Sequence, residues 1–568
     1  MKNTNKVLLC CIGRRENQYI REFVEYYKNL GFDNICLYDN NYDGEDWFED
    51  AIGDYIANGY VFLKDYRNRS VCQLQAYQEC YDNYKDEYDW IAFFDIDEFL
   101  SLVNDNDVHT FLSHERFDGY DVIAVNWKIY GDNDIVMNDG RGVLDRFKNP
   151  VPDDRCVAFN FPENNHIKAI VRTGKPMKWE YSVHCPNVDE GQKVCDPSGR
   201  AVSLFATAVN SNADFTQAFI RHYSTKTIEE NCQKMKRGFP DGKWDENDKL
   251  LMERHLRTRF FRYNTPTQEK IDVVKDILGI DMSYLLKEKN KDVQIFNLCY
   301  THKGFMPIED SVITPLQVGA EGNVFRICDK LDNDGDNISG ANYFYVENTG
   351  TYWIWKNVKD AKYKGQMQYR RPLAGVNDTM DFDDIFSKYD VITCKPFHHP
   401  DHKTPTKEEP MVIPADTVEQ GYAFSNCADD LYLCEFAVKT IHPDYAADWD
   451  KYIKNGADLY YSNGFVMRAE DFDRYADFLF SSLNAYLAFA NVHTPEELYK
   501  HVSYNMQVGK YVRYQGMKEI PQEAIKWQML IGGFLSERLW TLWLLHNFSK
   551  DRILEREYIK MEPEKMYT

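Results

Sequence analysis

Short apolar segments and helical periodicity alternate along the first hundred residues. The apolar segments predict strands from Lys6 to Ile12, Ile35 to Tyr38 and Tyr60 to Leu63, and a further run begins at Trp90. Between them, apolar residues recur at helical spacing, which predicts helices from Tyr19 to Leu30, Trp47 to Ala57 and Gln73 to Tyr84. Strands that alternate with helices in this way favour a doubly wound α/β sheet with crossover helices.

The apolar run that begins at Trp90 ends at Asp95 and Asp97, and Glu98 follows directly. Because side chains alternate across a strand, Asp95 and Asp97 are expected on the same side, where they repel each other unless a cation lies between them. Mg²⁺ or Mn²⁺ held by carboxylates and substrate phosphates is the usual arrangement. The pattern predicts a metal-nucleotide site. The alternative is a solvated strand end, since acidic pairs also arise by chance in a chain with 90 acidic residues, as at Asp132/Asp134 and Asp332/Asp334.

Polar residues also follow the three earlier strands. They are Arg14 and Glu16, Asp39 and Asn40, and Asp65 and Arg67. In an open α/β sheet the ligand crevice lies beyond the carboxyl ends of the strands. The pattern therefore predicts a nucleotide-binding crevice, with Asp39 or Asp65 near the base or ribose. The alternative role for such an acid is to cap the helix that follows.

A histidine is predicted at a later strand end. His222 closes an apolar stretch, and Thr227-x-x-Glu230 follows as a capping box, which predicts the start of a helix. A histidine in this position is a candidate metal ligand, and the alternative is a histidine that is merely hydrogen-bonded at a helix entry.

The second half restarts the α/β pattern after a charged helical stretch, residues 245–290. The run 287–292 marks the boundary between predicted domains of residues 1–290 and 291–568, and Val293 to Tyr300 is the first new strand. No Asp-x-Asp ends an apolar strand in this half, so its metal use stays open. Arg370 and Arg371 beside Tyr369 suit a diphosphate, because guanidinium groups match phosphate oxygens, although a surface ion pair is the alternative.

The end of the chain carries two further predictions. An amphipathic helix is expected around Gly533 to Trp540, where Glu537 and Arg538 are either site residues or a packed ion pair. Residues 552–568 are expected to form a solvated tail, with a helix that binds a membrane surface or a partner as the alternative.

Several segments of the first half together resemble family-2 and family-92 type glycosyltransferases of GT-A fold. The resemblance covers about residues 5–240. It rests on the segments Glu22 to Tyr27, Leu30 to Phe32, Tyr38 to Asn40, Phe94 to Phe99, Asn126-Trp127, Gly131, His166 to Val171, Val183 to Pro186, Arg221 to Thr227 and Lys236 to Gly238. One departure is Arg14-Arg15-Glu16, where such enzymes often carry Lys-Asn-Glu.

The resemblance implies a nucleotide-sugar donor, expected to be a UDP-sugar, and transfer that commonly inverts the anomeric carbon. It implies Mn²⁺ or Mg²⁺ on Asp95 and Asp97, with His222 or His184 as a third ligand. Inversion needs a general base near the acceptor hydroxyl. Glu98, Asp132 and Asp134 are the candidates, and Arg14, Glu16, Asp39, Asp65, Arg67, Asp95 and Lys226 are the expected donor-binding residues.

In the second half, four segments carry a further resemblance: Trp353 to Asn357, Tyr369 to Arg371, Asn463 to Met467 and Gly533 to Leu539. Together they resemble a domain of capsule and exopolysaccharide synthesis proteins. The same domain is the galactofuranosyltransferase half of some two-headed O-antigen polymerases, and the match spans about residues 293–548. It implies a second GT-A-like domain that uses UDP-galactofuranose, with Glu537 in catalysis. The implied donor-binding residues are Trp355, Lys356, Asn357, Tyr369, Arg370, Arg371, Asn463 and Arg538. That domain typically has His-Tyr-Arg-Arg, whereas this chain has Gln368 before Tyr369.

Composition narrows the classes of partner. A net charge of −23 argues against nucleic acid, which requires a basic surface. Aromatic residues make up 15% of the chain, which suits packing against sugar rings. The 14 cysteines show no CxxC pair, so they are expected to be reduced thiols of a cytoplasmic protein. No apolar run is long enough to span a bilayer, so membrane contact is expected to be at most peripheral, at the inner face.

The sequence therefore predicts a cytoplasmic protein with two GT-A-like domains, Rossmann-like with doubly wound mixed sheets, joined by a helical linker. The predicted activity is a bifunctional glycosyltransferase that adds sugars to a growing bacterial surface polysaccharide of O-antigen or capsule type, on a glycan or lipid-linked glycan acceptor. The alternatives are one active N-terminal head with an acceptor-binding second half, and a non-catalytic sugar-binding scaffold.

Overall fold

The computed structural model describes residues 5–156, 163–188, 191–205, 207–236, 249–300, 308–323, 327–402, 413–517 and 519–559. Residues Arg237 and Gly238 of one sequence motif and the last part of the C-terminal tail lie outside these ranges. Contacts divide the chain into an N-terminal unit, Met1–Leu286, and a C-terminal unit, Lys287–Thr568. None of the helices in the described ranges has the length and apolar character needed to cross a membrane.

The N-terminal unit contains a large mixed sheet. Its strands, with two short accessory pairs, are β1 Val7–Gly13, β2 Asn34–Asp39, β3 Val61–Asp65, β4 Trp90–Phe93, β5 Glu98–Leu102, β6 Val122–Ile129, β7 Ile167–Arg172, β8 Val194–Cys195, β9 Leu204–Phe205, β10 Val209–Asn210 and β11 Ala218–His222. The order across the sheet is β3-β2-β1-β4-β7-β6-β11-β5. The first four strands are parallel, β7 runs antiparallel between β4 and β6, and β11 is parallel to β6.

Helices cover both faces of this sheet. They are α1 Asn17–Asn29, α2 Phe48–Ala57, α3 Gln73–Tyr84, α4 Val108–Leu112, α5 Val143–Arg146, α6 Ile228–Lys236, α7 Lys249–His255, α8 Phe261–Tyr263 and α9 Gln268–Leu278. The alternating apolar segments of the first hundred residues produce two buried layers, one on each side of the sheet. The predicted order of strands and helices up to β4 is confirmed, with bounds that differ by one or two residues.

The C-terminal unit contains a second mixed sheet. Its strands, with one short accessory pair, are β12 Val293–Cys299, β13 Ile313–Gln317, β14 Lys330–Leu331, β15 Tyr363–Gln368, β16 Val391–Cys394, β17 Phe397–His398, β18 Asp458–Leu459, β19 Phe465–Arg468 and β20 Ile553–Arg556. The helices are α10 Asn342–Tyr345, α11 Asn348–Asn357, α12 Phe382–Lys388, α13 Val418–Ser425, α14 Ala428–Ile441, α15 Ala446–Trp449, α16 Ala469–Ala490, α17 Pro495–Gln507, α18 Gln522–Gln528 and α19 Ile531–Asn547.

The two sheets share one strand pattern. The second has the order β14-β13-β12-β15-β19-β16-β20, in which β13, β12 and β15 are parallel, β19 is antiparallel to β15 and β16, and β20 is parallel to β16. Strand β15 therefore occupies the central position that β4 occupies in the first sheet. The mixed α/β class predicted for both halves is confirmed.

Two predictions for the second half are wrong in detail. Helix α19 is buried on most sides rather than amphipathic, because it runs through the core of the unit. The solvated tail begins later than predicted, because Ile553–Arg556 pair with β16 as an edge strand. Asp332, of the acidic pair Asp332/Asp334, lies in a turn. It is fully buried directly after β14, where its carboxylate accepts hydrogen bonds from the backbone N–H groups of Gly319 and Ala320.

Candidate functional site

The acidic motif of the N-terminal unit lies in a turn rather than on a strand. Strand β4 ends at Phe93, and the turn closes through two hydrogen bonds, from the Asp95 N–H to Glu98 Oε2 (2.9 Å) and from the Glu98 N–H to the Asp95 carbonyl (3.0 Å). Ile96 packs against the end of β1, where a Cβ on Gly13 would come within 2.3 Å of its Cδ1. The expectation that strand alternation sets the directions of Asp95 and Asp97 is therefore wrong, since the turn sets them.

Asp95 is held by a buried lysine and by helix α3. The Lys168 ammonium group, which is fully buried on β7, lies 2.8 Å from Asp95 Oδ2. Gln73 and Tyr77 donate hydrogen bonds to Asp95 Oδ1 at 2.8 and 3.1 Å. Burial alone would raise the pKa of Asp95, but the charge of Lys168 lowers it overall. Asp95 is consequently an ionised carboxylate whose position is fixed by the protein.

Asp97 lies beside His222, the last residue of β11. His222 Nε2 is 3.8 Å from Asp97 Oδ1, and the Lys234 ammonium group is 3.4 Å from Oδ2. Burial would raise the pKa of Asp97, but Lys234 and the neighbouring cationic groups lower it overall. The strand end predicted for His222 is confirmed. Burial lowers the pKa of His222 to about 4, so the ring is neutral near pH 7, as metal binding requires.

The donor set fits a divalent cation in part. Carboxylate oxygens suit Mn²⁺ and Mg²⁺, whereas imidazole nitrogen is preferred by Zn²⁺, Fe²⁺ and the later transition metals. In the described part of the chain, no three His, Cys, Asp or Glu side chains are arranged together as metal ligands. Asp97 and His222 would supply protein ligands, and the remaining coordination would come from water and donor phosphates, which is common for Mg²⁺. His184, the other candidate, instead hydrogen-bonds the Ile167 carbonyl through Nδ1 (3.0 Å).

A cationic pocket of about 240 Å³ adjoins Asp97 through Lys234, which contributes to both. Its lining residues are Arg15, Glu16, Gln18, Tyr19, Ser224, Thr225, Lys226, Glu230, Gln233 and Lys234. Lys226 has φ +51°, in the left-handed region, and its ammonium group lies 4.3 Å from the centre of the Tyr19 ring. Burial lowers the pKa of Lys226. The pocket therefore combines three cationic side chains beside the acidic turn, which suits a diphosphate.

The start of helix α6 forms one wall of this pocket. The Glu230 N–H donates to Thr227 Oγ1 and the Thr227 N–H donates to Glu230 Oε2, both at 3.1 Å, which confirms the predicted capping box. Glu230 also accepts two hydrogen bonds from Arg146, at 2.8 and 2.9 Å, and one from the Tyr19 hydroxyl at 2.6 Å. These contacts fix the helix that carries Lys234.

Two of the other predicted crevice residues pair with each other, and a third pairs with Glu45. Arg67 donates to Asp39 Oδ2 at 2.8 Å in a buried ion pair, and Arg14 forms a two-bond ion pair with Glu45 at 2.9 and 3.2 Å. Asp65 is exposed, and its carboxylate accepts only the Arg67 N–H among the contacts of the described residues. Glu16 lies apart from these pairs, in the cationic pocket.

Aromatic rings cover these guanidinium groups, and the sequence did not indicate them. The Arg67 guanidinium lies 3.7 Å from the centre of the Trp47 ring, and that of Arg14 lies 3.7 Å from the Tyr42 ring. Trp47 is half exposed, which makes it a candidate surface for a nucleobase.

The three candidate bases differ in access. Glu98 is fully buried, so a substrate hydroxyl cannot reach it, and burial raises its pKa well above the usual carboxyl range. Asp132 is buried in an ion pair with Lys270 at 2.6 Å. Asp134 is 85% exposed, and it follows β6 at the same edge of the sheet. Asp134 is thus the accessible one of the three.

In the C-terminal unit, the Gln-Tyr-Arg-Arg segment follows β15 as the acidic turn follows β4. Arg370 and Arg371 are both exposed there. Arg371 donates to Ser462 Oγ at 3.0 Å, and the Ser462 N–H donates to Glu537 Oε1 at 2.9 Å. Arginine side chains therefore follow β15, whereas carboxylates follow the corresponding strand β4 of the N-terminal unit.

Asn463 joins this group to a carboxylate that the sequence did not indicate. Its amide nitrogen donates to Glu347 Oε1 at 2.9 Å and to Ser536 Oγ at 2.8 Å, and Gln368 also donates to Glu347 Oε1 at 3.1 Å. Burial raises the pKa of Glu347, and the Glu537 carboxylate adds to the effect. No local pattern marks Glu347, because residues far apart in sequence form its surroundings.

Four other predicted residues have mainly structural contacts. Trp355 and Lys356 lie at the far end of α11 from Glu347, roughly 13 Å away along the helix. There Trp355 stacks on Phe480 and Asn357 hydrogen-bonds the Asp336 backbone. Arg538 is buried and donates to Glu537 Oε2 at 2.9 Å, as expected for a packed ion pair. Tyr369, by contrast, lies within the Gln-Tyr-Arg-Arg segment, where its ring is buried.

Comparisons with known proteins match the two units separately. A model described as Glycosyltransferase family 92 matches residues 6–254, and one described as Domain of unknown function (DUF4422) matches residues 297–502. A curated glycosyltransferase family 92 protein of Oryza sativa subsp. japonica is 24% identical over 99 residues, 17% of either chain.

Among solved structures, the WbbM bifunctional glycosyltransferase is 22% identical with a TM-score of 0.33, over 47% of this chain and 45% of that one. S. aureus TarS 1–349 is 13% identical with a TM-score of 0.22, over 49% of this chain and 84% of that one. The chain thus spans about a sixth of the rice protein and less than half of WbbM. Its N-terminal unit is similar to the family 92 glycosyltransferases.

Proposed function

We propose that the N-terminal unit is a glycosyltransferase that moves a sugar from a nucleoside-diphosphate donor, a UDP-sugar, to a hydroxyl group of a glycan. The main support is that the family match and the candidate site fall in the same residues. The family 92 match over residues 6–254 contains the acidic turn, His222 and the cationic pocket, and these lie together at one edge of the sheet.

Different side chains of the site have different roles in an inverting transfer. Asp97 and His222, with Asp95 positioned beside them, would hold Mn²⁺ or Mg²⁺, which supplies positive charge for the departing diphosphate. Arg15, Lys226 and Lys234 bind the phosphate oxygens through charge-assisted hydrogen bonds. A carboxylate after β6, Asp134 or Asp132, takes the proton of the acceptor hydroxyl. Much of the rate enhancement would be electrostatic, because fixed charges face the place where negative charge develops.

We propose a second transferase in the C-terminal unit, which uses UDP-galactofuranose. The matched domain model has no known function, so the support is the cluster of Arg370, Arg371, Asn463 and Glu347 at the edge where β15 ends. The two units would add sugars in turn to a growing bacterial surface polysaccharide of O-antigen or capsule type. Such an enzyme would act in the cytoplasm, at the inner face of the membrane on lipid-linked glycans.

The test supplies a panel of UDP-sugars and a synthetic glycan acceptor to the full chain, to Asp97→Ala, to Arg371→Ala and to an equal mixture of the two variants. Product masses report how many sugars are added. Each variant should stop after at most one sugar, and the mixture should restore extension. If Asp97→Ala makes the full product, the first site is misassigned. If Arg371→Ala makes the full product, the C-terminal unit is an acceptor-binding module or a scaffold.

A further inference from the structure

Three unusual backbone conformations surround one carboxylate in the C-terminal unit. Val346 has φ +54° and ψ −125°, Ser462 has φ +67° and Asn463 has φ +47°. A β-branched residue at positive φ is costly and persists only where the surrounding structure enforces it, and such strain gathers at functional sites. Asn342 holds the Val346 carbonyl with a hydrogen bond of 2.6 Å, so the strained turn is fixed. Glu347 is the next residue, and this turn directs it.

Two glycines of helix α19 allow that turn to approach closely. A Cβ on Gly532 would lie 2.4 Å from the Phe344 carbonyl oxygen, and one on Gly533 would lie 3.1 Å from Val346 Cγ2. The turn therefore packs against the start of α19, which also supplies Ser536 and Glu537 to the cluster. Glu347 remains partly exposed, so a substrate can reach it.

The hydrogen bonds to Glu347 are distributed unequally between its two oxygens. Asn463 and Gln368 both donate to Oε1, and among the described side chains none donates to Oε2. Asn463 is 1% exposed, and its Oδ1 accepts no hydrogen bond within the described part of the chain. No described side chain therefore donates to Glu347 Oε2 or to Asn463 Oδ1, although the Glu347 carboxylate also accepts its own backbone N–H, and the cluster is joined through Ser462 to the exposed Arg371.

We propose that Glu347 is the general base of the C-terminal unit, with Asn463 and Gln368 as the residues that position it. The proposal rests on the second transferase activity proposed above. The Glu347 carboxylate takes the proton of the acceptor hydroxyl while that oxygen bonds to the anomeric carbon of the donor. The bond from this carbon to the diphosphate oxygen breaks, and the diphosphate leaves with the electron pair beside Arg371.

The neighbouring carboxylate of Glu537 is suited to a different task. Its Oε1 accepts the Ser462 N–H and its Oε2 accepts an N–H of Arg538, both at 2.9 Å, so both oxygens already have donors. These bonds tie Glu537 to the strained Ser462 segment and to Arg538. Glu537 is therefore a positioning residue, and its charge adds to the burial that raises the pKa of Glu347.

The test uses the full chain with Asp97→Ala, so that the remaining transfer comes from residues 287–568. Glu347→Gln is added to this background, and Glu523→Gln, an exposed glutamate of α18, is the matched control. Transfer from UDP-galactofuranose and other UDP-sugars is followed from pH 5 to 9, UDP binding is measured by calorimetry, and the anomeric configuration of the product is determined by NMR. Circular dichroism melting checks that each variant is folded.

We expect Glu347→Gln to lower kcat by roughly 10²-fold to 10⁴-fold, to leave UDP binding unchanged and to remove the fall of kcat at acidic pH. The product should have inverted configuration, and Glu523→Gln should match its parent. A Glu347→Gln protein that keeps its kcat, or a product with retained configuration, overturns the base assignment and leaves the second transferase standing. If the Asp97→Ala parent neither binds UDP nor uses any donor, the proposed second transferase activity is refuted. The assignment of Glu347 as its base is then refuted as well.

Discussion

The buried ion pair between Glu230 and Arg146 is expected to account for a large part of the stability of the N-terminal unit. Their side chains are 4% and 1% exposed. Burial alone would raise the pKa of Glu230, but the hydrogen bonds from Arg146, Tyr19 and Thr227 lower it to about 2, from an ordinary value of 4.5. The difference, 4.5 − 2, is about 2.5 pKa units, and at about 1.4 kcal/mol per unit it corresponds to about 3 kcal/mol. Breaking a buried ion pair typically costs about 3–5 kcal/mol, which agrees.

The sign of the pH dependence follows from the direction of this shift. The folded state binds the Glu230 proton less tightly than the unfolded chain, so the contribution is complete above about pH 4.5 and is lost as the pH falls towards 2. Glu230→Gln should therefore lower the free energy of unfolding by about 3 kcal/mol at pH 7, and the difference from wild type should shrink below pH 4.5.

Urea unfolding followed across this pH range measures the effect on the transition of the N-terminal unit, with Glu87→Gln, an exposed glutamate, as the control. Where unfolding shows two transitions, the one that shifts in a variant of the N-terminal unit, such as Lys168→Met, is assigned to that unit. A difference below about 1 kcal/mol at pH 7, or one that stays constant down to pH 3, would refute the role of the ion pair.

The remaining predictions concern charge at the two sites. Asp97→Ala should reduce transfer by the N-terminal unit by about 10²-fold or more and remove its dependence on Mn²⁺ or Mg²⁺, and wild-type transfer that survives EDTA would contradict the metal assignment. Lys168→Met should leave Asp95 without its buried counterion and destabilise the unit by about 3–5 kcal/mol, as measured by urea unfolding; a change under 1 kcal/mol would show that Asp95 needs no partner. Arg371→Ala should raise the donor KM and lower the kcat of the C-terminal unit, and Arg371→Lys should restore only part of the activity. If the lysine variant is as active as wild type, the geometry of the Arg371 guanidinium group is not needed for donor binding.

Local patterns in the sequence were sufficient for the first sheet up to β4, for the strand end at His222 and for the capping box at Thr227. Each of these depends on residues within a few positions of one another, so periodicity and spacing reveal them. Lys168 could also have been found, because a lysine inside the apolar segment Ile167 to Val171 must have a buried partner.

The direction of Asp95 and Asp97 could not be predicted in the same way. It depends on where β4 ends and on how Ile96 packs against Gly13, which lies far away in sequence. Glu347 was missed for the same reason, since Asn463 and Gln368 reach it through long-range folding. Contacts of this kind leave no local periodicity.

Carboxylates follow β4, whereas arginines follow β15. The two units would therefore differ in their dependence on the divalent cations of the cell. On the proposed metal assignment, the site at Asp97 and His222 takes up a divalent cation from the surroundings, whereas the guanidinium groups of Arg370 and Arg371 are part of the protein. On the proposed two-headed activity, a shortage of manganese or magnesium would slow one unit and spare the other. The free metal concentration would then set which unit limits chain growth, and unfinished chains would end in the sugar that the C-terminal unit adds.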